Sequence, residues 1–400
     1  PGESLRDEKG LSIVVGLLTI AALILLGTTA VMVSTTNVKI SANYKTTNQA
    51  FFAAEAGIEE ARARMGKNFT PTTGVTGRID DSSPTSAAWS VSIGGPGPYT
   101  SIQSALSYTV RIIHQTDPAG NILYWGDSNG DGFNERNTTT GQNIYLVTSY
   151  GAASGASKTI EAEMARTPPI PVPGALYVKA STTIQGTSTH IIGTDQCGGA
   201  NKPGIVTTLA TGTVSMSGNP IIKGSTSPTG TPPSIVSNPG AGTGMDVQAI
   251  IDGLKGSANY QYNVASATHS GMNWGTPTPG ATQDNPSTCS ARNIVYYNTS
   301  NGTNLTDITL RGGSMGCGIL LVEGDLDASG DFSWNGIVIV SGSVRITGGG
   351  NKNITGGIIA GGSADADLIG GNISVVYCSS VVNNQTENQP LRNLSWLEKT

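Results

Sequence analysis

Charge is scarce in this chain. Asp, Glu, Lys and Arg supply 12% of its 400 residues, about half the roughly 25% of ordinary soluble domains. The 22 basic and 27 acidic side chains nearly cancel, for a net charge of −5. Without a basic excess there is no electrostatic footprint for nucleic acid. With so little net charge the chain also lacks the signature of intrinsic disorder. Aromatics make up 6%. Histidine is limited to His114, His190 and His269, too far apart for a local metal-binding spacing. The four cysteines form no C-x-x-C, which excludes a zinc ribbon, a thioredoxin motif and a haem attachment site. P-loop and Rossmann fingerprints are missing as well. The one local acidic cluster, Asp325, Asp327 and Asp331, reads as turn chemistry at strand corners. No enzyme is expected. Glycine is abundant instead, 54 residues without a three-residue period, so collagen is excluded. Low charge with high Gly, Ser, Thr and Asn points to an extracellular, turn-rich β protein.

The N-terminus departs from this pattern. Residues 1–10 are charged and end in Lys9-Gly10, and no charged side chain follows until Lys39. Leu11 to Val33 is an apolar run long enough to span a ~30 Å hydrocarbon core. It exceeds the 7–15 apolar residues of a secretory signal peptide. After Lys39 the pattern becomes amphipathic. Phe51, Ala54, Ile58, Ala61 and Met65 recur at spacings of three and four, which is one helical stripe. No proline falls between Leu11 and Met65. One helix over about 11–66 is therefore expected, lipid-compatible in its first half and suited to packing on a globular unit in its second.

These features together carry a resemblance. A short charged leader ending in Gly10, an uncharged helix and an amphipathic continuation resemble a type IV prepilin. The block Ala53-Ala54-Glu55-Ala56-Gly57 resembles that of PilX-type pilus assembly proteins, which are minor pilins. The resemblance implies cleavage between Gly10 and Leu11 by the prepilin peptidase. It further implies an inner-membrane stage with a single span and an extracytoplasmic C-terminal part. Later partners would be other pilins, contacted through the helix at the cell surface. One departure stands out: the fifth mature position is Val15, where major pilins carry Glu. That fits a minor component near a filament tip, in assembly or priming, with adhesion as a task. A pseudopilin of a type II secretion system and a membrane-anchored β-helix carbohydrate-active enzyme are the alternatives.

Beyond the helix the expected fold class is α+β: a long N-terminal helix with a small antiparallel sheet, followed by a mostly-β right-handed parallel β-helix. Residues 67–166 read as the β head, with strands at 88–93, 107–114, 122–125, 144–149 and 158–165. Within it, Asp127, Asn129, Asp131 and Glu135 with Gly132 follow the first half of an EF-hand loop. The twelfth position is Thr138, so calcium would bind a shortened loop, and a plain Asn/Asp/Gly turn is the alternative. Residues 167–173, with four prolines, read as a stiff linker. From 174 to 379 short apolar strands separated by glycine recur, with starts at Gly318, Gly336 and Gly357. A period near 20 is the mark of stacked coils. Residues 196–316 read as an excursion containing one helix, 245–254, and 380–400 as a tail. A surface or glycan ligand is the expected partner of this region. Cys197, Cys289, Cys317 and Cys378 suggest disulfides in an exported protein. Three pairings are open; Cys197–Cys289, closing the excursion, and Cys317–Cys378, clipping the repeats, are expected.

Overall fold

The computed structural model describes residues 4–66, 77–79, 90–93, 106–128, 134–237, 245–264, 267–298, 307–361, 366–369, 371–386, 389 and 391–399. A single helix, α1 (Ser4–Arg64), is about 90 Å long at 1.5 Å per residue. Its apolar first half is bare: Leu11, Ile13, Leu17, Leu18, Leu23 and Leu26 are all exposed. The stripe read from the sequence is the face that packs, for Ala54, Ile58, Ala61 and Met65 are buried and Phe51 partly so.

This stripe lies on an antiparallel sheet built from β1 (Ser90–Ile93), β2 (Leu106–His114), β3 (Tyr124–Gly126), β4 (Glu135–Asn137), β5 (Gln142–Ala153) and β6 (Ala156–Ala165). Every expected head strand has a counterpart here. In β2 the burial alternates, with Tyr108, Val110 and Ile112 inward, as period-2 sterics require. Two glycines let sheet and helix approach closely. A Cβ on Gly151 would lie 2.1 Å from the Ala50 carbonyl oxygen, and one on Gly57 2.3 Å from Ser149 Oγ.

The sheet is completed from the far end of the chain. Arg392–Lys399, inside the expected tail, is an antiparallel strand beside β6. Lys399–Glu161 (2.7 Å) and Lys158–Glu398 ion pairs fasten it. Arg62 Nε donates to the Leu391 carbonyl at 2.8 Å, and Trp396 packs edge-on against Phe51. The segment between Ala165 and Arg392 is thus inserted between two neighbouring strands of the head.

That insert consists of parallel ladders. In one ladder the order along the stack is 260–263, 293–298, 318–323, 336–340, 356–360, 176–178, 205–207 and 235–237. A second joins 273–274, 314–317, 332–335, 351–355, 372–376, 189–192 and 221–223. A third joins 267–270, 307–311, 325–329, 344–347, 366–369, 182–185 and 214–217. The chain enters mid-stack at Leu176 and winds to one end. It crosses to the other end and winds back until its last turn, 372–376, pairs with its first, 189–192.

Residues 196–316, read from the sequence as an excursion, therefore hold rungs at both ends of the ladders. The repeat starts also shift by one residue. Gly318, Gly336 and Gly356 are in register, and Gly357 pairs with Ile337. All three registered glycines have positive φ, at 120°, 147° and 126°. A Cβ on Gly336 would sit 1.7 Å from the Gly318 oxygen, so no other residue turns this corner. Inside, Phe332, Trp334, Ile337, Ile339, Ile354 and Ile358 are buried in one continuous core. Ile170 and Val172 of the proline-rich linker are buried in the same core.

Candidate functional site

Two regions of the molecule are set up to meet something else. The first is the bare half of α1. Leu11–Arg64 contains a window of mean hydropathy 2.5 that none of the described residues buries, long and apolar enough to cross a membrane. Gly10 and Leu11, the expected cleavage pair, lie within unbroken helix, and Leu11 is exposed.

The second is the outer side of the ladder that contains 351–355 and 372–376. A strap, residues 275–292, crosses its rungs. Cys289 at one end of the strap is bonded to Cys317. Ser287 donates from its backbone N to Thr355 Oγ1 at 2.8 Å, and Asn335 Nδ2 donates to the Ser287 carbonyl at 2.8 Å. Gln283 Nε2 donates to the carbonyls of Ser188 (2.7 Å) and Ile373 (3.0 Å). Asp284 accepts from Lys223 Nζ at 2.7 Å and pairs with His190 Nδ1 at 2.5 Å. Burial pushes the Asp284 carboxyl upward, but Lys223 and His190 outweigh it and hold the group below its usual value. The strap thus ties rungs of the late chain (Asn335, Thr355, Ile373) to rungs of the early chain (Ser188, His190, Lys223).

The other crossing is made by α2 (Val247–Lys255), which overlaps the helix expected at 245–254. Asp246 caps it, accepting from Ala249 N at 3.0 Å. Val247, Ile251 and Leu254 are buried against the ladders, with Met245 beside them and Ile250 only partly covered. Glu323, nearly buried, accepts from Gln248 (2.5 Å), Lys255 (3.2 Å) and the Tyr296 hydroxyl.

The disulfides differ from the expected pairing. Cys197 is bonded to Cys378 and Cys289 to Cys317. Cys197 follows the first turn of the chain and Cys378 the last, and those turns are neighbours only because the chain starts mid-stack. The expected pairs followed the bounds of an excursion and a repeat block, and the ladders dissolve those bounds, since residues 196–316 themselves supply rungs.

Of the expected calcium ligands, Asp127 and Glu135 are described, while Asn129 and Asp131 lie outside the described residues. Glu135 Oε1 accepts from Ser128 N at 2.7 Å and from the Ser128 hydroxyl. Asp325 Oδ1 accepts from Ser343 N (2.6 Å) and Asp331 Oδ1 from Asn351 N (2.8 Å), as expected of turn chemistry, whereas Asp327 lies mid-strand between Thr309 and Arg345. Gly312-Gly313-Ser314-Met315-Gly316 has the spacing of a nucleophile elbow. Ser314 is buried, however, and its hydroxyl donates to the Arg311 carbonyl at 2.9 Å.

Comparison with known proteins bears on the first region. Residues 9–59 match the PilX N-terminal family model. Those residues are type IV pilin-like, and the match covers the block that carried the sequence resemblance. No curated protein matches the chain. Among solved structures, the competence-associated pilin ComZ from Thermus thermophilus is 12% identical, with 89% of this chain and 98% of that one covered. Its TM-score is 0.23, and at that level the likeness carries no inference about this chain.

Proposed function

We propose that this protein is a minor component of a type IV pilus or pilus-like filament. The bare half of α1 first sits in the inner membrane and then among the helices of neighbouring pilins. The observation that carries this is one unbroken helix whose apolar half is uncovered while its other half is locked under the head, in a segment that matches the PilX N-terminal model. Val15 in place of an acidic residue suits a subunit placed near the tip. We read the parallel ladders as a β-helix and as the module presented outward, for assembly, priming or adhesion.

Prepilin peptidase is the partner that this reading requires, and the test follows from it. N-terminal sequencing of the exported protein is expected to begin at Leu11. A start elsewhere removes the pilin assignment. Antibody labelling of sheared filaments then separates a pilus from a secretion pseudopilus, in which the protein would be missing from the shed fibres. Calcium at the 127–135 loop belongs to the same reading. Adding EDTA to the purified protein is expected to lower the melting temperature of the head, and an unchanged melt removes the metal.

A further inference from the structure

Between the strap and the ladder beneath it lies a groove of about 310 Å³, the lower end of the range for small-ligand clefts. Gly280, Thr282 and Asn285 line one wall and Asn351, Asn353 and Asn372 the other. Among the described residues no charged side chain lines it, and the one carboxylate of this part of the strap, Asp284, is paired with Lys223 and His190. Anionic polymers would find no cation here and a divalent ion no carboxylate. The groove is not apolar either, since amides and hydroxyls dominate its walls.

These amides are only partly used. Asn372 Nδ2 donates to Asn351 Oδ1 at 3.0 Å, which uses one polar atom of each of these two lining amides. The Asn353 side chain forms no hydrogen bond with any described residue. The backbone is not on offer, because 351–355 is paired on both sides, with 332–335 and 372–376. A peptide could not add as a strand there. What remains is the pair of amides Asn351 and Asn353, two residues apart on one strand, with Asn372 opposite Asn351 on the adjacent strand about 4.8 Å away, beneath the disulfide-anchored strap. A hydroxyl is both donor and acceptor, and an Asn amide satisfies both of its roles.

We infer that this groove binds a neutral saccharide through Asn351, Asn353 and Asn372. The inference deepens the adhesion part of the proposed function by naming a site and a ligand class. It does not depend on the Leu11 cleavage, so the two can fail separately.

The test uses the full chain in a detergent without a sugar headgroup. The probes are maltotetraose, cellotetraose and mannotetraose, with tetragalacturonate and a tetra-alanine peptide as controls, each titrated by calorimetry. At least one neutral tetrasaccharide is expected to saturate below about 10 mM, and Asn353→Ala or Asn372→Ala is expected to weaken it about tenfold, roughly the loss of one hydrogen bond. Unchanged melting temperatures show that these exposed-side variants fold. Three results overturn the proposal: no neutral probe binds, binding is indifferent to both variants, or tetragalacturonate or the peptide binds more tightly through the same residues.

Discussion

The head and the ladder stack solve the same problem in different ways. In each, a late piece of the chain must find an early piece. The head closes its seam with the eight-residue strand Arg392–Lys399, paired along β6 and held by two ion pairs and the Trp396–Phe51 contact. The stack closes its seam with strands of three to four residues, Leu176–Val178, Thr182–Gln185 and Thr189–Ile192. Each of these contributes few backbone bonds. Across this seam, divided among three short strands, lie the Cys197–Cys378 bond and the strap, whereas both disulfides lie outside the head. Covalent reinforcement is found where the non-local pairing is shortest.

This comparison can be broken most directly at the disulfides. In the chain-entropy account, a bond spanning 181 residues contributes about 5 kcal/mol and one spanning 28 residues about 3.5 kcal/mol. Cys378→Ser is therefore expected to destabilise the stack more than Cys289→Ser. Peptide-resolved hydrogen exchange should show the loss first in 176–192 and 366–376 and leave β2, β5 and β6 protected. Equal loss in the head would mean that the two seams are not independent.

Glycine substitutions sharpen the contrast. Gly336→Ala forces a Cβ into the Gly318 carbonyl at φ 147° and is expected to cost ~3 kcal/mol or more, confined to the stack. Gly151→Ala presses on the Ala50 carbonyl, and its effect should be confined to the α1–sheet interface. Denaturant melts followed by hydrogen exchange distinguish the two.

Lys352 gives a smaller effect of opposite sign. It is buried in the stack, its rung paired with Phe332 and Ile373, with Nζ donating to the carbonyls of Gly348 and Gly349 (2.8 Å for Gly349). Burial lowers its pKa from 10.5, and Asp331 only partly opposes this. The folded chain then binds fewer protons than the unfolded chain between the lowered value and 10.5, so stability rises with pH across that window. Lys352→Met is expected to stabilise by about 1 kcal/mol at neutral pH, because Gly348 and Gly349 are exposed and water can replace the ammonium. Its advantage should shrink as pH approaches 10. A destabilised variant in thermal melts at pH 7 would refute this.

The smallest effect is at Asp284. Its folded-state pKa lies below 3.8, so its contribution is present above about pH 4 and lost as pH falls through the folded value. Asp284→Asn is expected to cost less than about 1 kcal/mol at pH 7, the pair being partly solvent-screened. The gap to the wild type should narrow as pH falls below about 4 in melts recorded across pH.

Much of this was legible in the residues. The α1 stripe from Ala54 to Met65, the alternation in 108–113 and 159–164, and the Gly-led repeats after 318 each write a local period into the sequence, and local periods need no partner to be read. The disulfide pairing, the strand at 392–399 and the strap were not legible. Each depends on which distant turns become neighbours, and a parallel rung asks only for an inward apolar residue at every second position, which many turns satisfy equally. The groove was hidden for the same reason: Asn351, Asn353 and Asn372 look like any solvent-facing amides until the strands bring them together and Asp284 pairs with Lys223 and His190.

The sequence by itself determined the long uncharged helix, its packing stripe, the antiparallel head and the glycine corners, because these follow from spacing within one segment. Only the tertiary structure decided that the stack is inserted between two head strands, that the chain begins in its middle, and that Cys197 meets Cys378. Those outcomes turn on closing long loops, whose entropy grows only slowly with length. Sequence distance is therefore a poor guide to contact, and complementary packing makes the choice.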